Sequence, residues 1–197
     1  MKSLLTLSIA CLVMHSAAQA AVVYSGIRNL TIPVDPDGLY FNIVSGATSA
    51  TEPGTFNTAP WFNPFFGGQD IGVGNLSQLV FAGVDVLNLG TGTLISGASN
   101  FGPAGFGGSA VLGLALGNFQ ITTPGLLGIA FKQTVGGPVH YGWVRLVIDN
   151  SSPEGTVVDW AYDSTPGTSI LAGIVPEPSR VVLWIFGCFG MMRPRRR

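Results

Sequence analysis

The sequence predicts an all-β exported domain, an antiparallel β-sandwich or jelly roll, with an N-terminal signal helix and a short C-terminal membrane helix. Three observations carry that expectation. Short apolar runs alternate with Gly, Pro, Asn and Asp clusters, and no helical period of useful length appears. Residues 139 to 149 alternate strictly in side-chain placement. Both ends of the chain differ in composition from the middle.

The first strand expected is Asn29 to Val34, turned by Asp35-Pro36-Asp37-Gly38, with Leu39 to Val44 as its hairpin partner. Gly46 to Pro60 is small and polar and reads as a loop. Leu79 to Ala82 and Val84 to Leu89 read as short strands about a bulge at Gly83. Gly90 to Gly117 reads as loop plus a strand near Val111 to Leu116. Leu126 to Gln133 is a strand, turned by Gly136-Gly137-Pro138. In the clearest strand His140, Gly142, Val144, Leu146 and Ile148 share one side. Val139, Tyr141, Trp143, Arg145 and Val147 share the other. Asn150 to Gly155 turns the chain, Thr156 to Tyr162 returns, and Ser169 to Ala172 adds an edge strand. No fixed-period repeat suggests a solenoid or propeller.

At the N-terminus Lys2 precedes an apolar run from Leu4 to Met14, and Ala18-Gln19-Ala20 matches the small-x-small cleavage pattern. Residues 1–20 therefore read as a secretory signal, with Ala18 and Ala20 setting the cut. Ser8-Ile9-Ala10 before Cys11 lacks the leucine of a lipoprotein signal. The implied partners are the Sec translocon and signal peptidase.

Residues 174–197 form the second address. Pro176-Glu177-Pro178 is followed by the uncharged run Val181 to Met192 and by Arg193-Pro194-Arg195-Arg196-Arg197. Twelve residues of helix span about 18 Å, short of the roughly 30 Å hydrocarbon core. Snorkelling of Arg180 and Arg193 and local thinning of the bilayer would bring it across. Arg193, Arg195, Arg196 and Arg197 hold the tail on the cytoplasmic side and orient the body outward. Two prolines about a glutamate keep the segment extended, as a processing enzyme requires.

These residues resemble the PEP-CTERM sorting signal of Gram-negative bacteria: the tripeptide, the apolar segment and the arginine cluster occur in order over Val175 to Arg197. The resemblance implies recognition of Pro176, Glu177 and Pro178 by an exosortase, transient residence in the inner membrane, and release to the cell surface or extracellular matrix. The body also resembles a recurring class of such proteins, through Tyr141-Gly142-Trp143-Val144-Arg145, Asp159-Trp160-Ala161-Tyr162 and the turn Pro166-Gly167. That likeness implies a shared fold and no particular activity.

The whole-chain net charge of −1 conceals an uneven distribution. From Ala21 to Val175 nine acids face three bases, Arg28, Lys132 and Arg145, a net −6. Such a domain, with its boundaries near 21–173, is a poor nucleic-acid binder. Cys11 and Cys188 both belong to the ends, so the body stabilises itself without a disulfide.

Little catalytic chemistry is available. The body has one histidine, His140, and no cysteine, so neither a Cys nucleophile nor an H-E-x-x-H zinc site can be built. Asp35-Pro36-Asp37-Gly38 offers hard oxygen ligands for calcium but not EF-hand spacing, and reads as a turn. No cofactor is expected. Asp159 and Asp163 are the candidate carboxylate pair of a glycoside hydrolase. Trp61, Trp143 and Trp160 are candidate sugar-binding rings, with exopolysaccharide as ligand and a carbohydrate-binding module as the alternative function. Trp61-Phe62-Asn63-Pro64-Phe65-Phe66 reads first as a core plug and second as a sugar platform. The leading expectation is a non-enzymatic exported surface or matrix protein.

Overall fold

The computed structural model describes residues 22–83, 85–102, 108–111, 118–150 and 154–175, with backbone alone at 108–111 and 150. The signal segment with Ala18 and Ala20, the Pro176-Glu177-Pro178 motif, the apolar run and Arg193 to Arg197 all lie outside the described residues.

The strands, in chain order, are β1 (Val22–Tyr24), β2 (Leu30–Ile32), β3 (Tyr40–Asn42), β4 (Thr48–Ser49), β5 (Trp61–Phe65), β6 (Asp70–Val73), β7 (Ser77–Leu79), β8 (Phe81–Ala82), β9 (Asp85–Val86), β10 (Leu94–Ile95), β11 (Gly108–Val111), β12 (Pro124–Lys132), β13 (Val139–Asn150), β14 (Glu154–Asp163) and β15 (Ile170–Leu171). A 3-10 turn at Phe66–Gly68 is the only helical element among the described residues. The protein is all-β, and its strands pair antiparallel.

One sheet runs β1-β14-β13-β12-β7, with β2 also on β14. The other runs β11-β6-β5-β3-β4. Phe41, Phe62, Ile71 and Val73 of the second sheet share one core with Leu127, Ile129, Phe131, Val144, Leu146, Val157 and Trp160 of the first. The first sheet therefore buries one face against the second. Its other face is buried as well: Tyr141, Trp143, Ala130 and Ala161 pack under Val80, Leu89, Ile95, Ile170 and Ala172. The small sheet β10-β15 supplies part of that cover.

The alternation read for β13 holds. Val144, Leu146 and Ile148 enter the first core, while Tyr141 and Trp143 enter the second. The β12–β13 and β13–β14 hairpins form as expected, the latter with a register shift between Arg145 and Leu146.

Three expectations need correction. Leu39 to Val44 is not the hairpin partner of Asn29 to Val34, because β2 pairs with β14 and β3 pairs with β4 and β5. The bend at Asp35–Gly38 is real, with the Gly38 N–H donating to Asp35 Oδ1 at 2.7 Å. On either side of it the chain bonds elsewhere: Leu39 N–H donates to Pro64 O, and Pro33 O accepts from Gly67 N–H. The turn thus carries the chain from one sheet to the other. Second, Gly83 is not a bulge but part of the short connection between β8 and β9, at φ +69°. Third, the Trp61–Phe66 run does enter the core, through Phe62, but as a strand within the second sheet and not as a plug at one end: Phe62, Asn63 and Pro64 sit opposite Val73, Gly72 and Ile71.

Candidate functional site

The residues of the Tyr-Gly-Trp-Val-Arg run and of the return strand meet on the second face of the first sheet. Arg145 lies opposite Asp159, and Trp143 opposite Ala161. Tyr24 of β1 also faces Ala161, from the other edge of β14. These pairings place one cation, one anion and one phenol on a common face.

Asp159 is the centre of the group. Its Oδ2 accepts a 2.8 Å hydrogen bond from the Tyr24 hydroxyl. Its Oδ1 lies 3.4 Å from Arg145 Nε, an ion pair rather than a tight hydrogen bond. The Asp159 side chain is 2% exposed and that of Arg145 32%. The guanidinium sits 5.4 Å from the Trp143 ring centre. One of its nitrogens reaches the Gly173 carbonyl at 3.5 Å. Burial, then the hydrogen bond to Asp159 and its negative charge, push the Tyr24 phenol above the ordinary tyrosine value, with Arg145 opposing.

Gly142 explains a further part of the run. A Cβ there would stand 2.6 Å from the Ala161 carbonyl oxygen and 2.9 Å from Tyr162 Cβ. The glycine lets Tyr162 lie across β13 and pack its ring on Phe131, at 5.2 Å and 85°.

The cluster around Asp159 reaches the last of the described residues, Gly173 to Val175. After β15, Ala172 N–H donates to Thr93 O and Gly92 N–H donates to Ala172 O. Gly173 adopts φ +69°, a conformation that favours glycine. Val175 packs against the second core. Arg145 thus ties the central hairpin to the exit segment.

The other candidate residues are placed as follows. Trp61, Trp143 and Trp160, the candidate sugar-binding rings, are all buried, so none of them presents an open face to a sugar. Large rings on a sheet with two covered faces go to the cores. Trp160 bridges the two sheets, donating its indole N–H to Ile43 O at 2.9 Å and packing on Phe41. Trp61 donates to Thr55 Oγ1 at 3.0 Å. The Trp143 indole N–H has no hydrogen-bond partner among the described residues. Of the Trp61 to Phe66 run only Phe66 is exposed.

Asp159 and Asp163 do not form a facing pair. Their carboxylates are engaged with different partners, Asp159 with Tyr24 and Arg145 and Asp163 with the turn that follows β14. Asp163 is itself buried, and its Oδ1 accepts from Thr165 N–H at 2.8 Å. His140 is buried at the end of the first core, stacked on Phe131, with Nδ1 3.0 Å from Asp163 O. A carbonyl only accepts, so Nδ1 carries the proton. Among the described residues no three His, Cys, Asp or Glu side chains converge as a metal site, and Asp35 uses its carboxylate to close its own turn. No helix among the described residues is long and apolar enough to cross a membrane.

Sequence reasoning did not select Tyr24 or the exit segment. Val22-Val23-Tyr24 ends in the one residue of its run with a polar tip, but only the β1–β14 register sets that tip against Asp159.

No family model, curated protein or solved structure matches this chain.

Proposed function

We propose that this chain is the precursor of a non-enzymatic exported protein of the cell surface or extracellular matrix, sorted by an exosortase at its C-terminal signal. The observation that carries the proposal is the order of three parts at one end: Pro176-Glu177-Pro178, the apolar run Val181 to Met192, and Arg193 to Arg197. The export signal ending at Ala18-Gln19-Ala20 supports it from the other end. The body is read as a β-sandwich, supported by two sheets that contribute to one core. Its most chemically capable side chains are engaged internally. Asp159 holds Arg145 and Tyr24, Asp163 holds a turn, and the tryptophans are buried. That arrangement favours a scaffold over a hydrolase or a tryptophan-lined sugar site.

Mass spectrometry of the protein recovered outside the cell tests the sorting. The expected mature form begins at Ala21 and lacks Arg193 to Arg197. Recovery of the exported body with its arginine tail intact rejects the proposal. Glu177→Ala should leave an uncut precursor in the membrane fraction.

A further inference from the structure

The small sheet at the end of the body has two unlike faces. Ile95 and Ile170 point inward and are fully or nearly fully buried. Leu94 and Leu171 are direct partners in the register and point the other way, 57% and 43% exposed. Ile174, whose N–H bonds back to Leu171 O, adds a third exposed apolar side chain at 43%. Partners across an antiparallel pair lie side by side on one face. Leu94 and Leu171 therefore form an exposed apolar pair, with exposed Ile174 on the turn that follows them.

The sequence around this patch carries no charge. From Val86 to Phe131 and from Ser164 to Val175 there is no ionisable side chain. In a body of net −6 these are long uncharged stretches of chain. The nearest cation on the exit is Arg145, partly exposed and within 3.5 Å of Gly173 O.

Position decides what this patch can meet. Ile174 stands seven residues before Val181, the first residue of the apolar run. Even fully extended, seven residues reach only about 25 Å. While that run is in the bilayer, the patch is held within that distance of it.

The geometry points to Leu94, Leu171 and Ile174 as a seat on the phospholipid surface, on which the body rests beside its own anchor. This assignment depends on the C-terminal run being inserted, as proposed above. Apolar side chains in contact with the acyl boundary recover transfer free energy that they cannot recover in water. The chain segments that carry the patch hold no carboxylate, and Asp159, which pairs with Arg145 at its rim, is already buried, so no exposed carboxylate of these groups is desolvated on contact. Arg145 at the rim has the sign to meet a lipid phosphate.

The test uses the full chain, carrying Cys11→Ser, in vesicles of phosphatidylethanolamine and phosphatidylglycerol. An environment-sensitive fluorophore is placed at one cysteine at a time: the native Cys188, or L94C, L171C or T51C in a Cys188→Ser background. Thr51 follows β4 in the opposite sheet and is exposed. Quenching by spin-labelled phospholipid is then read. Labels at 94, 171 and 188 should be quenched severalfold more than the label at 51. Quenching at 188 with positions 94 and 171 no different from 51 overturns the seat and leaves the anchor standing. An unquenched label at 188 overturns the anchor and the seat together. Labels at 94 and 171 shielded from aqueous iodide yet untouched by lipid quencher mean that protein covers the patch, which also overturns the assignment.

Discussion

Arg145 and Asp159 face each other across the β13–β14 pairing, and the same guanidinium reaches the Gly173 carbonyl just after β15. The two partners differ in exposure, 32% against 2% for their side chains, and that difference makes the pair asymmetric. Loss of Arg145 leaves a buried carboxylate held by Tyr24 alone. Loss of the Asp159 charge leaves a guanidinium that water can reach. Arg145→Met should therefore cost about 2–3 kcal/mol. Asp159→Asn, which can still accept from Tyr24, should cost about 1 kcal/mol. Urea unfolding of both variants at neutral pH checks the order, and the double variant should be less destabilised than the sum.

Tyr24→Phe removes a hydrogen bond to a carboxylate and should cost about 1–2 kcal/mol at neutral pH. Its pH dependence has a fixed sign. The folded-state phenol titrates above the ordinary tyrosine value, so its contribution is complete below about pH 10 and fades as pH rises through the folded value. The gap between wild type and Tyr24→Phe should narrow at alkaline pH. Unfolding midpoints across that range measure it.

In the Tyr-Gly-Trp-Val-Arg run, Gly142→Ala should destabilise by about 1–3 kcal/mol, because backbone stands where the new methyl would go. Trp143→Ala empties the middle of the second core and should cost about 3–5 kcal/mol. Trp143→Phe should cost much less, since it also removes a buried indole N–H without a partner among the described residues. Thermal unfolding of the three variants ranks them.

Burial raises the Asp70 carboxyl above the ordinary carboxylate value. A raised acid favours the folded state while protonated, and that contribution is lost as pH rises through the folded value. Asp70→Asn imitates the protonated form. The variant should be the more stable protein at pH 7, with the difference closing below about pH 4. Denaturant midpoints at the two pH values decide it.

The β13 pattern was readable because a period of two assigns side chains to faces whatever covers them. Sequence could not say that both faces are covered, since Trp143 and Val144 are equally apolar. β5 escaped notice for a related reason: Trp61, Phe62, Asn63 and Pro64 are all buried, so no polar–apolar alternation marks the strand. The partner of β2 was misjudged because Asp-Pro-Asp-Gly signals a bend but not which strand receives the chain afterwards. The cluster around Asp159 was half legible. Arg145 and Asp159 lie in runs that draw attention, whereas their pairing, and the arrival of Tyr24 from 135 residues away, depend on long-range register. The tryptophans invited a sugar-binding reading because composition reports which rings exist and not which side of a sheet they occupy.

The shallow attachment of β15 has a mechanical consequence. The strand pairs over two residues, with few further backbone bonds up to Val175. A pull from beyond Val175 loads those bonds and the Arg145–Gly173 contact before the ladders of the long β12–β13–β14 meander. Yielding of Ile170 to Val175 would lengthen the tether by roughly 20 Å at the expense of part of the second core, while the first core stayed closed. The end of the domain is thus a compliant link, able to pay out slack under load while the load-resisting sheets keep their shape.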